Sequence, residues 1–220
     1  VYIANANMGG SGEFGLTYRV EDFGYDTVDS TVISQGEPFS ISFYVNFDPL
    51  RTTTGKTQYF FQVASAGHGR NVINFFMQKE TSGWSIDAIF TSATPVTPGG
   101  PNYENERTTW EWSNPKNNRW YFITLSFPGF GSPAILYIDG EDQQSYQSWT
   151  TAPNLDIKNT QFLGPADDMY LGRDITRATN DEDLQGSLSN FAIWKTKLTP
   201  PQIKQLYTAN GDGLAMSFYS

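Results

Sequence analysis

The chain contains no cysteine among its 220 residues, which excludes disulfides, thiolate metal sites and cysteine nucleophiles together. Histidine is almost absent too: His68 is the one copy, in the Gly-flanked turn Ala66-Gly67-His68-Gly69-Arg70. A single imidazole excludes a multi-histidine zinc site and leaves a serine triad one histidine to draw on. Positive charge is scarce, with 14 Lys and Arg against 23 Asp and Glu and a formal net charge of -9. That balance argues against a nucleic-acid backbone or an anionic membrane surface, and leaves neutral glycans, cationic groups and metal ions open. No apolar run approaches the roughly 20 residues that span a bilayer, so no membrane insertion is expected. The chain starts at Val1 with no signal peptide, and reads as a mature chain or an excised domain. It also lacks any Asn-x-Ser/Thr acceptor, which favours a prokaryotic or viral source. Absent cysteine does not establish a reducing compartment, because large exported domains manage without disulfides. An extracellular or cell-surface location is the expectation.

What is present points to strands. Hydrophobic residues make up 38% of the chain and aromatics 15%, enough for a β core, while 17% charged residues is low for a helical protein. Sandwiches of this length fold as single units, so one domain over residues 1–220 is expected. Alternating apolar segments bounded by Gly, Pro, Asn and Asp predict strands at Gly15 to Val20, Phe39 to Phe47, Gln58 to Ala64, Val72 to Gln78, Trp84 to Thr91, Trp120 to Phe127, Ala134 to Ile138, Met169 to Leu171 and Gly186 to Trp194. In the second of these, Phe39, Ile41, Phe43, Val45 and Phe47 share one face, leaving Ser40, Ser42, Tyr44 and Asn46 on a wetter one.

Two local signals fix connections. Asp139-Gly140 after Ile135-Leu136-Tyr137-Ile138 accepts the positive φ angles of a tight hairpin. In Leu198-Thr199-Pro200-Pro201-Gln202-Ile203-Lys204-Gln205-Leu206-Tyr207, Thr199 caps, Pro200 takes the first helical position, and Ile203, Leu206 and Tyr207 share a face, predicting one short C-terminal helix. Leu214 to Tyr219 reads as a closing strand. Thr91 to Asn118 and Gln143 to Pro165, rich in Pro, Asn, Gly and Thr, are expected to be surface loops.

The order of motifs resembles the laminin-G-like, or concanavalin A-like lectin and glucanase, superfamily. The residues that carry this are Pro38 to Val45; Arg119 to Phe127 followed by Leu136-Tyr137-Ile138-Asp139-Gly140; and Tyr170-Leu171-Gly172-Arg173, Leu184 to Trp194 and Leu198 to Tyr207. The resemblance implies an all-β fold, a two-sheet antiparallel jelly-roll β-sandwich, with Trp120, Phe191 and Trp194 in its core. Calcium, frequent in this superfamily, becomes an expected cofactor.

The same superfamily holds glycoside hydrolases with a Glu-x-Asp-x-x-Glu strand that sets two carboxylates at the separation retaining hydrolysis needs. This spacing does not occur here. Glu104, Glu106 and Glu111 fall at irregular offsets beside Tyr103 and Trp110. Gly10-Ser11-Gly12-Glu13-Phe14-Gly15 fits Gly-x-Gly-x-x-Gly but is followed by a strand, so it lacks the helix N-terminus that cradles phosphate. Two loop clusters suit calcium, which takes six to eight oxygens: Asp167 and Asp168, and Asp181 and Asp183. Tyr103, Trp110 and Trp112, with Tyr146 and Trp149, are candidate ligand-binding residues, because sugar rings stack on aromatic faces while amides and carboxylates read hydroxyls. Trp110 and Trp112 also fit a strand with both rings buried on one side. The leading expectation is a non-catalytic module recognising a glycan or polysaccharide with calcium. The alternatives are a polysaccharide lyase or glycoside hydrolase, and an assembly domain of a surface layer, fibre or virion.

Overall fold

Alternation of large apolar and small polar residues sets the strands. The structure, a computed structural model, describes residues 2–8, 16–19, 38–47, 54–65, 70–91, 105–128, 134–143, 145–150, 167–172 and 184–209. Among these the chain forms β1 (Tyr2–Met8), β2 (Leu16–Arg19), β3 (Phe39–Phe47), β4 (Thr57–Ser65), β5 (Arg70–Lys79), β6 (Trp84–Thr91), β7 (Asn105–Trp112), β8 (Trp120–Phe127), β9 (Ile135–Ile138), β10 (Glu141–Gln143), β11 (Ser145–Thr150), β12 (Asp167–Leu171), β13 (Gly186–Trp194) and the helix α1 (Pro200–Ala209). One sheet has six strands in the order β1-β13-β3-β8-β9-β10, the other seven in the order β11-β7-β6-β5-β4-β12-β2. Sequence-distant strands lie side by side, as β13 does with β1 and β3 and as β12 does with β4 and β2, all antiparallel. This is a two-sheet antiparallel sandwich of the jelly-roll kind.

The core lies between the sheets. Phe39, Ile41, Phe43, Val45 and Phe47 of β3 meet Phe61 and Val63 of β4, Ile73, Phe75 and Met77 of β5, Ile86 and Ala88 of β6, and Trp110 of β7 in one buried cluster. Phe43 is central: its ring centroid lies 5.4 Å from Phe60, 6.0 Å from Phe75 and 6.2 Å from Phe191. Burying such a ring contributes about 1.5–3 kcal/mol.

Three expectations are corrected. The two stretches read as loops contain β7 and β11. In β7 the alternation is real, with Thr108, Trp110 and Trp112 buried and Glu111 exposed; the polar residues at outward positions disguised it. β7 pairs with β6 from Trp84↔Trp112 to Thr91↔Asn105, and β11 adds to its far edge. Secondly, Ser40, Ser42 and Tyr44 are not on a wet face, being only 0%, 3% and 1% exposed. The segment after β13 and helix α1 cover them: Trp194 Nε1 donates to Ser42 Oγ at 2.9 Å, and the Leu198 amide to Ser40 Oγ at 2.9 Å. Thirdly, Phe191 is in the main core, but Trp120 and Trp194 are only partly buried, packed on the second cluster of Tyr44, Phe122, Tyr137, Leu198 and Ile203.

Both local signals are observed. Asp139 and Gly140 take φ values of 55° and 80°, closing β9 and β10 with Ile138 opposite Glu141 as a two-residue turn with positive φ throughout requires. At α1, Gln202 Oε1 accepts from the Thr199 amide at 2.8 Å and from Thr199 Oγ1 at 2.9 Å, so the helix entrance is capped from inside its first turn. Ile203 is buried, and Leu206 and Tyr207 pack beside it. The predicted closing strand, Leu214 to Tyr219, lies outside the described residues.

Candidate functional site

The seven-stranded sheet turns a polar face away from the core. In β6, Trp84, Ile86 and Ala88 belong to the core, so Ser85 and Asp87 point the other way. Strand pairing aligns them with their neighbours in rows: Asn74, Ile89 and Arg107; Phe76, Asp87 and Thr109; Gln78, Ser85 and Glu111. Tyr59 extends the middle row, its ring 5.3 Å from that of Phe76, and Gln62 Nε2 donates to Asn74 Oδ1 at 3.0 Å.

Asp87 organises this face. Its side chain is 0% exposed, yet Arg107, which donates from Nε to Oδ1 at 2.7 Å, keeps 40% of its side chain exposed. Thr109 Oγ1 donates to the same oxygen at 2.5 Å. Ser85 Oγ stands 3.2 Å from Asp87 Oδ2 and 3.3 Å from Glu80 Oε1, so one hydroxyl proton serves two carboxylates. A buried carboxylate costs several kcal/mol unless paired and hydrogen-bonded, and these donors supply that compensation.

Ser85 also borders a cleft of about 320 Å³ lined by Glu80, Trp84, Glu111, Trp112 and Asn114 among others, at the small end of the range for ligand pockets, roughly 300–1,000 Å³. Trp84 and Trp112 are held from beneath by Phe47, at 5.5 Å and 5.2 Å between centroids. They present only 9% and 5% of their surface. The rim is fixed by the β7–β8 connection, where Asn114 has φ of 51° and the Lys116 amide donates to Tyr121 Oη at 2.5 Å. Carboxylates, hydroxyls and an amide around indole edges suit a polyhydroxylated ligand.

The sequence candidates separate. Trp110 is 1% exposed in the core, so it has no face for a ligand; Trp112 is a core ring whose edge reaches the cleft. Tyr146 and Trp149 lie in β11, Tyr146 at a register shift and Trp149 opposite Arg107. Asp167 and Asp168 were expected in a loop but pair within β12, against Ser65 and Ala64. Tyr103, Glu104, Asp181, Asp183, His68 and Gly10 to Gly15 lie outside the described residues. Among the described residues, no group of three or more His, Asp or Glu side chains is placed to hold a metal.

Sequence reasoning missed Glu80, Ser85, Asp87 and Arg107. The usable signal was the period of two in Trp84-Ser85-Ile86-Asp87-Ala88 and in Arg107 to Trp112, which marks two strands with polar outer faces.

A family model described as the concanavalin A-like lectin/glucanases superfamily matches residues 22–204. No curated protein matches the chain in sequence. Among solved structures, a native heptameric SAP-like pentraxin from Limulus polyphemus is 12% identical, with 97% of this chain and 84% of that one covered at a TM-score of 0.55. The botulinum neurotoxin serotype D ligand binding domain in complex with N-acetylneuraminic acid is 15% identical, covering 93% of this chain and 42% of that one, with a TM-score of 0.59. Trypanosoma rangeli sialidase, solved as a covalent intermediate with 2,3-difluorosialic acid, is 15% identical, covering 95% of this chain and 29% of that one, with a TM-score of 0.57. At these identities the likeness is one of fold.

Proposed function

We propose that this chain, which belongs to the concanavalin A-like lectin/glucanases superfamily, is an extracellular or cell-surface module that binds carbohydrate without cleaving it. The observation that carries this reading is the cleft where β6 begins and β7 ends, lined by Glu80, Ser85, Glu111 and Asn114 together with Trp84 and Trp112. Hydrogen-bonding groups of both polarities around aromatic edges match the alternating hydroxyls and C–H faces of a sugar. The serotype D toxin domain, solved with N-acetylneuraminic acid, gives the reading a precedent on a similar fold.

The test is a glycan array read with and without calcium, followed by titration of each hit against tryptophan fluorescence. Binding that quenches the fluorescence and is lost in Glu111→Gln and Trp112→Ala variants that remain folded supports the cleft. No binding across neutral and acidic glycans would count against the module. Release of sugars from polysaccharide substrates would replace it with an enzyme. Calcium belongs to this proposal through Asp167, Asp168, Asp181 and Asp183.

A further inference from the structure

We infer that Arg107 anchors the carboxylate of an acidic sugar, so that the carbohydrate bound on this face is a uronate or a sialic-acid-type glycan. The inference rests on the carbohydrate-binding reading and adds the ligand class.

Arg107 is one of 14 basic residues in a chain of net charge -9, and its placement differs from that of a solvated surface arginine. Its Nε is tied at 2.7 Å to Asp87, whose side chain is wholly buried and held in turn by Thr109 at 2.5 Å. The guanidinium is thereby oriented before any ligand arrives, which removes much of the ordering cost of binding. A guanidinium carries five N–H donors. Asp87 takes one of them; the other four have no partner among the described residues, and the side chain remains 40% exposed. The Nη edge, without a partner among the described residues, is a planar fork matched to the two oxygens of a carboxylate.

The surroundings fix the direction of the ligand. Ile89 and Asn74 share the row of Arg107, offering an apolar surface and an amide beside the fork. At the other end of β7, Glu80 and Glu111 line the cleft and repel a carboxylate. Arg107 and Glu111 are four residues apart on one strand, about 13 Å at 3.3 Å per residue, so an acidic sugar residue at Arg107 stands clear of the carboxylates of the cleft.

Calorimetric titration of the full chain with an aldobiouronic acid, which carries one uronate on a neutral sugar, its methyl ester, sialyllactose and sialyllactose methyl ester tests this. Each carboxylate ligand is expected to bind about tenfold more tightly than its neutral counterpart, about 1.4 kcal/mol, from charge-assisted hydrogen bonds to the fork. Arg107→Gln should abolish the preference. Arg107→Lys, which keeps a cation beside Asp87 and so protects the fold, should lose most of it because an ammonium lacks the fork. Uronate and sialic acid are told apart by which of the two acids binds. Equal affinity for acid and neutral forms, or a preference that survives in both folded variants, overturns the inference while leaving carbohydrate binding intact. Absence of binding by all four ligands overturns the inference, and carbohydrate binding falls with it only if the glycan array is also blank.

Discussion

A Cβ built on Gly186 would stand 2.1 Å from the carbonyl oxygen of Asn46 and 2.7 Å from the Cα of Phe47. Both neighbours are backbone, and β13 pairs with β3 there in the register Gly186↔Phe47, so no side-chain rotation relieves the contact. Gly186→Ala is expected to force the strands apart and cost roughly 2–4 kcal/mol, read as a lower denaturant midpoint in equilibrium unfolding.

Phe43 packs against Phe60, Phe75 and Phe191 at the centre of the sandwich. Phe43→Ala leaves a cavity bounded by both sheets and is expected to destabilise the fold by about 3–5 kcal/mol. Phe43→Leu should recover much of that loss. Thermal unfolding of the three proteins side by side checks the order.

Asp87 is buried under donors from Arg107, Thr109 and Ser85. Asp87→Ala leaves the Thr109 hydroxyl and the Arg107 Nε without their acceptor, with an expected cost of about 3 kcal/mol, at the low end for breaking a buried pair because Arg107 is part exposed. In a double-mutant cycle with Arg107→Gln, the pair should show coupling of about 1 kcal/mol or more. Additive effects would mean that the two side chains do not act together.

Tyr137 has its pKa raised above the ordinary 10.0, first by burial and then by the negative charge of Asp142. The unfolded chain therefore deprotonates first as pH rises. Its contribution to stability is fully present below about pH 10 and falls away as pH climbs from there through the folded-state pKa. Tyr137→Phe should flatten the decline of stability above pH 10 relative to the parent, measured as denaturant midpoints between pH 8 and 11.

If calcium is held by the segment containing Asp181 and Asp183, millimolar calcium must raise the melting temperature, because a metal bound only by the native state stabilises it by mass action. A rise that disappears in Asp181→Asn/Asp183→Asn is the expected outcome. An unchanged melting temperature removes calcium from the proposal.

The readable parts of the fold were those in which one short segment carries its own instruction. Phe39 to Phe47 shows strict alternation over nine residues and forms β3 between those same limits. β7 was harder to see, because Arg107, Thr109 and Glu111 occupy its outward positions and make Asn105 to Trp112 look like polar loop. The candidate site was less legible than the fold for the same reason. Asp87 and Arg107 lie 20 residues apart, and either alone reads as an ordinary solvated side chain.

The sequence by itself determined the class of structure, an antiparallel β-sandwich with a tight Asp139-Gly140 turn and a short helix that starts after Thr199, because period, turn chemistry and capping act over a few neighbouring residues. Tertiary structure alone decided what each strand face meets. Alternation assigns side chains to two faces but does not say what covers either one. Register across β6 and β7 set Asp87 beside Thr109 and Ile89 beside Arg107, and Trp194 with the segment up to Leu198 covered Ser40 and Ser42 while Leu198 and, from α1, Ile203 packed with Tyr44, turning all three from surface into interior. Such pairings are non-local: they follow from how whole strands align, and every side chain on a face depends on that alignment at once.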